Sequence, residues 1–298
     1  MNTPYQVNLS LLSSKDRRLW RSAKPWFARV VMLSALPLAS VGGQGILGGA
    51  QPFAVLGGST VTNTGPTTIL GNLGLYPGTS VTGQGSITLT GAYEINNAVA
   101  LQAKTDARTA FTALAGQGGF TTLSGTLGDA LLTPGVYRFT SDALLTGNLV
   151  LNFLGNPNSQ FVFQVGSALT TASSSTITAS NGNPNSGVFW QIGSSATLGT
   201  SSTFLGNIIA EESITLTTSA RILCGRAIAL TGAVTMDGNT ISSNCGVANS
   251  SDFGSAGFAG GRVAVVPEPS TFVLMLAGGM GVAAFARRRA SRSHRTMK

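Results

Sequence analysis

The stretch GVFWQIGSSATLGTSSTFLGNIIAEESITLTTSARILCGRAIALTGAVTMDGNTI, residues 187–241, can be written as three copies of one unit. The copies begin at Gly187, Gly206 and Gly225, 19 residues apart, and carry Leu205, Leu223 and Ile241 at intervals of 18. The slip between the two spacings is what a one-residue bulge at a corner produces. Apolar positions in phase at a period near 20 are the signature of a solenoid, in which each unit buries its apolar face only by stacking on the next. The second half of each copy alternates, as in Ala196-Thr197-Leu198, Ile214-Thr215-Leu216-Thr217 and Val234-Thr235-Met236-Asp237. Such a strand has one wet face. The first half, with Val188 to Ile192, Ile208 to Ala210 and Ala227 to Leu230, is apolar on both sides and needs a cover from outside the solenoid.

Working outward, Phe161 to Thr170 is an earlier copy of the Val188 unit. Leu132 to Phe139 and Leu149 to Phe153 read as strands before it. At the N-terminal side, Phe53 to Thr62 opens a coil of alternating character, with Pro66, Gly71, Gly74, Pro77 and Gly78 expected at corners. Between these β segments lies a different texture. Ala92, Ile95, Val99, Ala103, Ala107, Ala110, Phe111 and Leu114 follow helical spacing with no proline among them, and Gly116 stands at the stop. The pattern predicts one helix over 91–115. An Ala-rich stripe lets it lie close along the solenoid, so it is the expected cover, packed on the strands that hold Trp190, Ile209 and Ile228, with Val99 in the seam.

The net charge of +8 belongs to the two ends. Six basic residues lie before residue 50 and six after residue 286, while the middle carries six against eight acids. This distribution argues against nucleic acid as a partner. The basic stretch ending at Arg29, then Val30 to Ala39 and small residues, reads as a signal peptide within 1–50. Residues 247–266 are a Gly- and Ser-rich linker. The segment 267–298 contains Pro267-Glu268-Pro269, an apolar run from Thr271 to Ala286, and Arg287-Arg288-Arg289. It resembles the PEP-CTERM sorting signal of exported Gram-negative bacterial proteins, which implies recognition at Pro267, Glu268 and Pro269 and removal by an exosortase. The expected location is outside the inner membrane, secreted or at the cell surface, with the apolar run as a transient anchor. In an oxidising compartment Cys224 and Cys245, 21 residues apart, can meet at neighbouring corners as a disulfide.

Catalysis finds little to work with. The only histidine, His294, lies in the tail, so neither a catalytic triad nor a histidine metal site is available in 51–246. Asp237 with Arg226 is the nearest approach to a polysaccharide-lyase cluster, and the expectation is no enzyme, no cofactor and no metal. What remains is the wet face. Thr197, Thr215 and Thr235 fall at one place in successive copies, Ser194 and Ser213 are expected two residues before, Thr231 enters that row in the last copy, and Thr217 lies two residues after. Coils about 4.8 Å apart and alternate residues about 6.7 Å apart make a two-dimensional lattice of methyls and hydroxyls.

Several segments in order, FAVLGGSTVTNTGPTTILGNLGLYPGTSVTG, INNAVALQAKTDARTAF, LTPGVYRF, NPNSQFVFQVGS, VFWQIGSSATLGTSSTFLGNIIA and GRAIALTGAVTMDGNTI, resemble the bacterial and fungal DUF3494 ice-binding proteins. The resemblance implies a mainly β fold, a discontinuous right-handed β-solenoid with one long helix alongside, over 51–246. It also implies adsorption to ice through one flat face, giving recrystallisation inhibition and thermal hysteresis, by a monomer. Glu211, Glu212, Asp237 and Gly199 depart from the all-Thr pattern. Two other readings are a surface adhesin that binds extracellular polysaccharide and, more remote, a β-helix lyase.

Overall fold

The computed structural model describes residues 45–156, 159–182 and 186–243. All strand pairings are parallel, and they run through two sheets. Each full coil has three sides. One side lies under the helix, the second is open and forms a seven-stranded sheet of its own, and the third shares a fifteen-stranded sheet with the first. The coils are, in chain order, I (53–70), II (72–89), III (121–132), IV (135–152), V (160–180), VI (187–205), VII (206–223) and VIII (225–242).

Their order in space differs from their order in the chain. Coils III to VIII stack consecutively, and coil VIII then pairs with coil I, Val55 beside Ala227 and Val61 beside Val234, with coil II beyond. A short strand, Tyr93–Ile95, closes that end against Leu73–Leu75 of coil II. The helix, Ala98–Ala115, then carries the chain back along the stack towards coil III. Eighteen residues at 1.5 Å each give a length of about 27 Å. This is the discontinuous solenoid with a helix alongside that the family resemblance implied.

The helix is shorter than its spacing predicted. Asn97 accepts a hydrogen bond from the Ala100 amide at 2.9 Å and caps the first turn, while Asn96 at φ 48 breaks from the strand before it. Residues 93–95 gain more by pairing in the sheet. Val99 is not in the seam either: it is 49% exposed, and the buried face is Ala100, Ala103, Lys104, Ala107, Ala110 and Leu114. Starting the helix at Asn97 fixes which residues face the solenoid, and Val99 falls on the outer side.

Under the helix, Ala103, Ala107, Ala110 and Leu114 pack with Val162, Phe189, Ile209, Ile228, Leu56 and Phe53 in one apolar cluster. The strand Gly187–Ile192 is therefore buried throughout, as its two-sided apolar pattern required. Trp190 is on that strand, but it points into the solenoid. There it stacks on Phe163 at 3.8 Å between ring centroids, and its indole N–H donates to the Leu205 carbonyl at 3.1 Å.

Corners follow backbone rules. Between the open and third sides, successive coils place Ser174, Ser201, Ser219, Gly238 and Gly65 in the left-handed region. The bulge expected from the 18- and 19-residue spacings is present, since Leu205 to Asn207, where coil VI passes into coil VII, lies opposite Leu223 to Arg226, where coil VII passes into coil VIII. Cys224, at φ 53, sits in the longer side of that mismatch. Gly71 is a corner, whereas Gly74 lies mid-strand, where a Cβ would run into Leu56 and Phe53. Of the region 1–50 expected as a signal peptide, residues 1–44 lie outside the described residues, as do Cys245, the expected linker, and the sorting segment with Pro267, Glu268 and Pro269, whereas Leu47 and Ala50 are buried in the cluster under the helix and belong to the folded domain.

Candidate functional site

The open side is built by seven short strands in the order 143–145, 169–171, 196–198, 214–216, 234–237, 60–64 and 80–82. In the three strands of the repeat, the flanking aliphatic residues enter the core and the middle residue points out. Ala196, Leu198, Ile214, Leu216, Val234 and Met236 are all buried. Register then lines up the outward residues without a break: Leu144, Thr170, Thr197, Thr215, Thr235, Thr62 and Thr82. Six threonines in six consecutive coils make a ladder about 24 Å long at about 4.8 Å per step. The residues of the repeat supply three of them. Thr170 was legible as part of the earlier copy, but Thr62 and Thr82 join only because coil VIII docks on coil I.

Hydroxyl bookkeeping separates this central row from its margins. Thr170, Thr197, Thr215, Thr235, Thr62 and Thr82 make no side-chain hydrogen bond to another described residue. At the margins the hydroxyls are spent inside the protein. Thr217 donates to the Leu198 carbonyl at 2.8 Å, and Thr231 to the Glu211 carbonyl at 2.6 Å. Ser213 Oγ accepts from the Ala233 amide at 3.2 Å, and Ser194 lies 3.4 Å from Glu212 Oε2. Ser194 is also displaced from the expected row. The register that pairs Ala196 with Ile214 puts Ser195, not Ser194, beside Ser213, and Ser195 Oγ accepts the Ser213 amide at 3.2 Å.

The charges flagged by the sequence sit away from the central row. Glu211 turns to the helix and forms a two-pronged pair with Arg108, which holds its carboxyl below the usual range. Glu212 stays exposed at the corner beside Ser194 and Ser195. Asp237 accepts from the Thr218 hydroxyl at 2.5 Å on the open side's edge. Arg226, 3% exposed, is on the helix side and donates to Asn207 Oδ1 at 2.7 Å and to the Gln51 carbonyl. Asp237 and Arg226 are therefore not brought together as an acid-polysaccharide cluster would need.

The third side has an outward row too: Asn148, Thr176, Thr203, Arg221, Thr240, Thr68 and Thr88. Arg221 is exposed in its middle, and Thr176 is tied to Asn148 at 2.8 Å. A long cation standing above the row breaks its flatness. Of the two uncovered sides, the open one alone carries an unbroken threonine ladder among the described residues.

The fold and site define a three-sided parallel β-solenoid with a helix on one side and a flat threonine array on another. The family described as Ice-binding-like matches residues 55–242, and the chain belongs to that family. It is 48% identical over 245 residues to an ice-binding protein of Nostoc sp. (strain HG1), covering 82% of this chain and 87% of that one. An ice-binding protein of Flavobacterium frigoris (strain PS1) is 34% identical over 210 residues, 65% of this chain and 75% of its own. Among solved structures, an ice-binding protein from an Antarctic biological consortium matches at a TM-score of 0.64 and 44% identity, covering 70% of this chain and 96% of that one. One from the Antarctic ascomycete Antarctomyces psychrotrophicus matches at 0.62 and 39%, covering 68% and 98%. A PEP-CTERM protein-sorting motif matches residues 265–290, which marks the chain for export and surface sorting.

Proposed function

We propose that this protein adsorbs to ice through the open side, with Thr170, Thr197, Thr215, Thr235, Thr62 and Thr82 as the contact row. The observation that carries the reading is the row itself: six in-register threonines whose hydroxyls have no protein partner among the described residues. Each methyl removes a little apolar area from water, at roughly 25 cal/mol per Å². Each hydroxyl can hold an ordered water at low entropic cost. These terms are small singly and act only when many are in register. The margin residues Ser194, Ser213, Thr217 and Thr231, with hydroxyls already bonded, contribute flatness and packing. Family membership supports the reading, which includes recrystallisation inhibition and thermal hysteresis. The role is physical adsorption by a monomer, without catalysis or cofactor. Before export the apolar run from Thr271 to Ala286 serves as a transient anchor until an exosortase acts at Pro267-Glu268-Pro269.

The test is recrystallisation inhibition by residues 45–262 and by Thr215→Tyr in that background. Tyrosine lifts the surface off a flat lattice, so most activity is lost while the circular dichroism spectrum and melting temperature stay near those of the parent. Thr215→Ser, which keeps the hydroxyl, loses much less. Thr240→Tyr on the third side leaves activity intact. Full activity in a folded Thr215→Tyr protein would place the ice-binding surface elsewhere.

A further inference from the structure

At the C-terminal end of the helix, away from the threonine row, a cleft of about 290 Å³ opens at the corner between the helix side and the open side. Its floor is bare because Gly166 and Gly193 occupy that corner in successive coils, donating to the Phe139 and Val165 carbonyls at 2.9 and 2.8 Å. A Cβ at either would collide with the carbonyl of the coil beneath. In the next coil Glu211 takes the same place, donating to the Ile192 carbonyl, and its side chain reaches the helix. The cleft therefore ends where the helix begins to be pinned. Phe139 and Val165 also line it, but their side chains belong to the solenoid core, so they offer the cleft backbone.

Two polar side chains point at this space with capacity unused. Arg138 is half-buried and has no acidic partner among the described residues. Its guanidinium stacks over the Phe120 ring at 3.6 Å, and its Nε donates to Gln164 Oε1 at 2.8 Å. Gln164 is in turn fixed by donating to the Leu114 carbonyl at 2.7 Å and the Gln117 carbonyl at 2.9 Å. This leaves both Nη groups of a pre-oriented fork without a partner. Gln191 is 7% exposed, lines the same cleft, and its amide makes no hydrogen bond to any described residue. The little of Gln191 that is exposed faces the cleft, so its amide is open to a ligand there.

We propose that this cleft binds the carboxylate of a sugar acid, with Arg138 gripping it through both Nη groups and Gln191 bonding a hydroxyl or ring oxygen. A planar fork matches a carboxylate two-for-two. A single cation next to the negative end of a helix favours one negative charge over a dianion such as phosphate. Walls made of backbone, guanidinium and amide suit a hydroxyl-rich skeleton better than an apolar one, and the volume suits one sugar unit. The ligand can be a free sugar acid or a uronate unit in an acidic polysaccharide chain.

Calorimetric titration of the folded protein with glucuronate, glucose, a galacturonate oligomer and neutral dextran tests this. The expected result is saturable binding of glucuronate, at least tenfold weaker binding of glucose, and at least tenfold loss in Arg138→Gln. Arg138→Lys, which keeps the charge without the fork, loses several-fold, and Gln191→Leu weakens glucuronate binding with Arg138 left in place. Tighter binding of the oligomer than of glucuronate identifies a polysaccharide as the source, and exclusion of the oligomer identifies a free sugar acid. No saturable binding of glucuronate by the parent protein, equal binding of glucose, or unchanged affinity in both Arg138→Gln and Gln191→Leu would overturn it. Recrystallisation inhibition stays at the parent level in Gln191→Leu whichever way the titrations fall.

Discussion

The helix side and the open side are walls of the same coils, built from parallel strands at the same spacing, yet they meet opposite demands. Under the helix, the middle of each rung must be apolar, and Val162, Phe189, Ile209, Ile228 and Leu56 meet helix alanines small enough to allow close approach. On the open side, only the inward face is constrained by packing, and the outward residues are free to be chosen for the surface they make. The difference teaches where substitution is costly. A change under the helix acts through stability, whereas a change on the open side acts through flatness and leaves the fold alone.

The sharpest way to break this comparison is at coil I. Thr62 is separated from Thr235 by 173 positions in the chain yet is its neighbour in the ladder. Thr62→Tyr is expected to abolish ice shaping as fully as Thr215→Tyr, with an unchanged melting temperature. Activity retained by Thr62→Tyr would confine the working surface to the repeat.

The next effect is on the covered side. Ala107 is fully buried on the solenoid-facing side of the helix, so Ala107→Asp places a charge in the seam at a cost of several kcal/mol. For a domain of this size that lowers the melting temperature by about 10 °C or more. Val99→Asp, at an exposed position, is expected to shift it by no more than about 2 °C. Equal effects from the two would mean that the helix turns a different face to the solenoid.

A third effect concerns the bulged corner. Cys224 is expected to pair with Cys245, which lies outside the described residues. The unreduced protein should lack the two thiol hydrogens by mass, and Cys224→Ser should cost up to about 3 kcal/mol. Two alkylatable thiols in freshly exported protein would sink the pairing.

The smallest effect is a slope. Lys104, on the solenoid-facing side of the helix, is 8% exposed and donates to the Ala229 and Leu230 carbonyls at 2.5 and 2.6 Å. Burial, helped by Arg108 and opposed by Glu211, lowers its pKa from 10.5 to about 7. The neutral amine has two N–H groups for those two carbonyls. Between about pH 7 and 10.5 the unfolded chain holds a proton at this site that the folded one has released. Stability should therefore rise with pH across that window and be lowest, for this group, below it. Unfolding by urea at several pH values should show the rise in the parent protein and its absence in Lys104→Met.

Local pattern determined a great deal. The 18- and 19-residue spacings implied the coils and their bulge, the strict alternation around Thr197, Thr215 and Thr235 marked the wet side, and the apolar pairs around Phe189 and Ile209 called for a cover. Such features are short-range, because side-chain direction alternates along each strand and stacking repeats the pattern at a fixed interval. Tertiary structure decided the rest. The return of the chain along the helix brings coil I against coil VIII, so Thr62 and Thr82 complete a ladder that no local window contains. Hydrogen-bond competition divides hydroxyls that look alike in sequence, leaving Thr215 open to solvent and binding Thr217 to the coil beneath. The cap at Asn97 selects the buried helix face and excludes Val99 from it. In each case the deciding partner lies far away along the chain or depends on the exact turn at which an element begins, and periodicity carries neither.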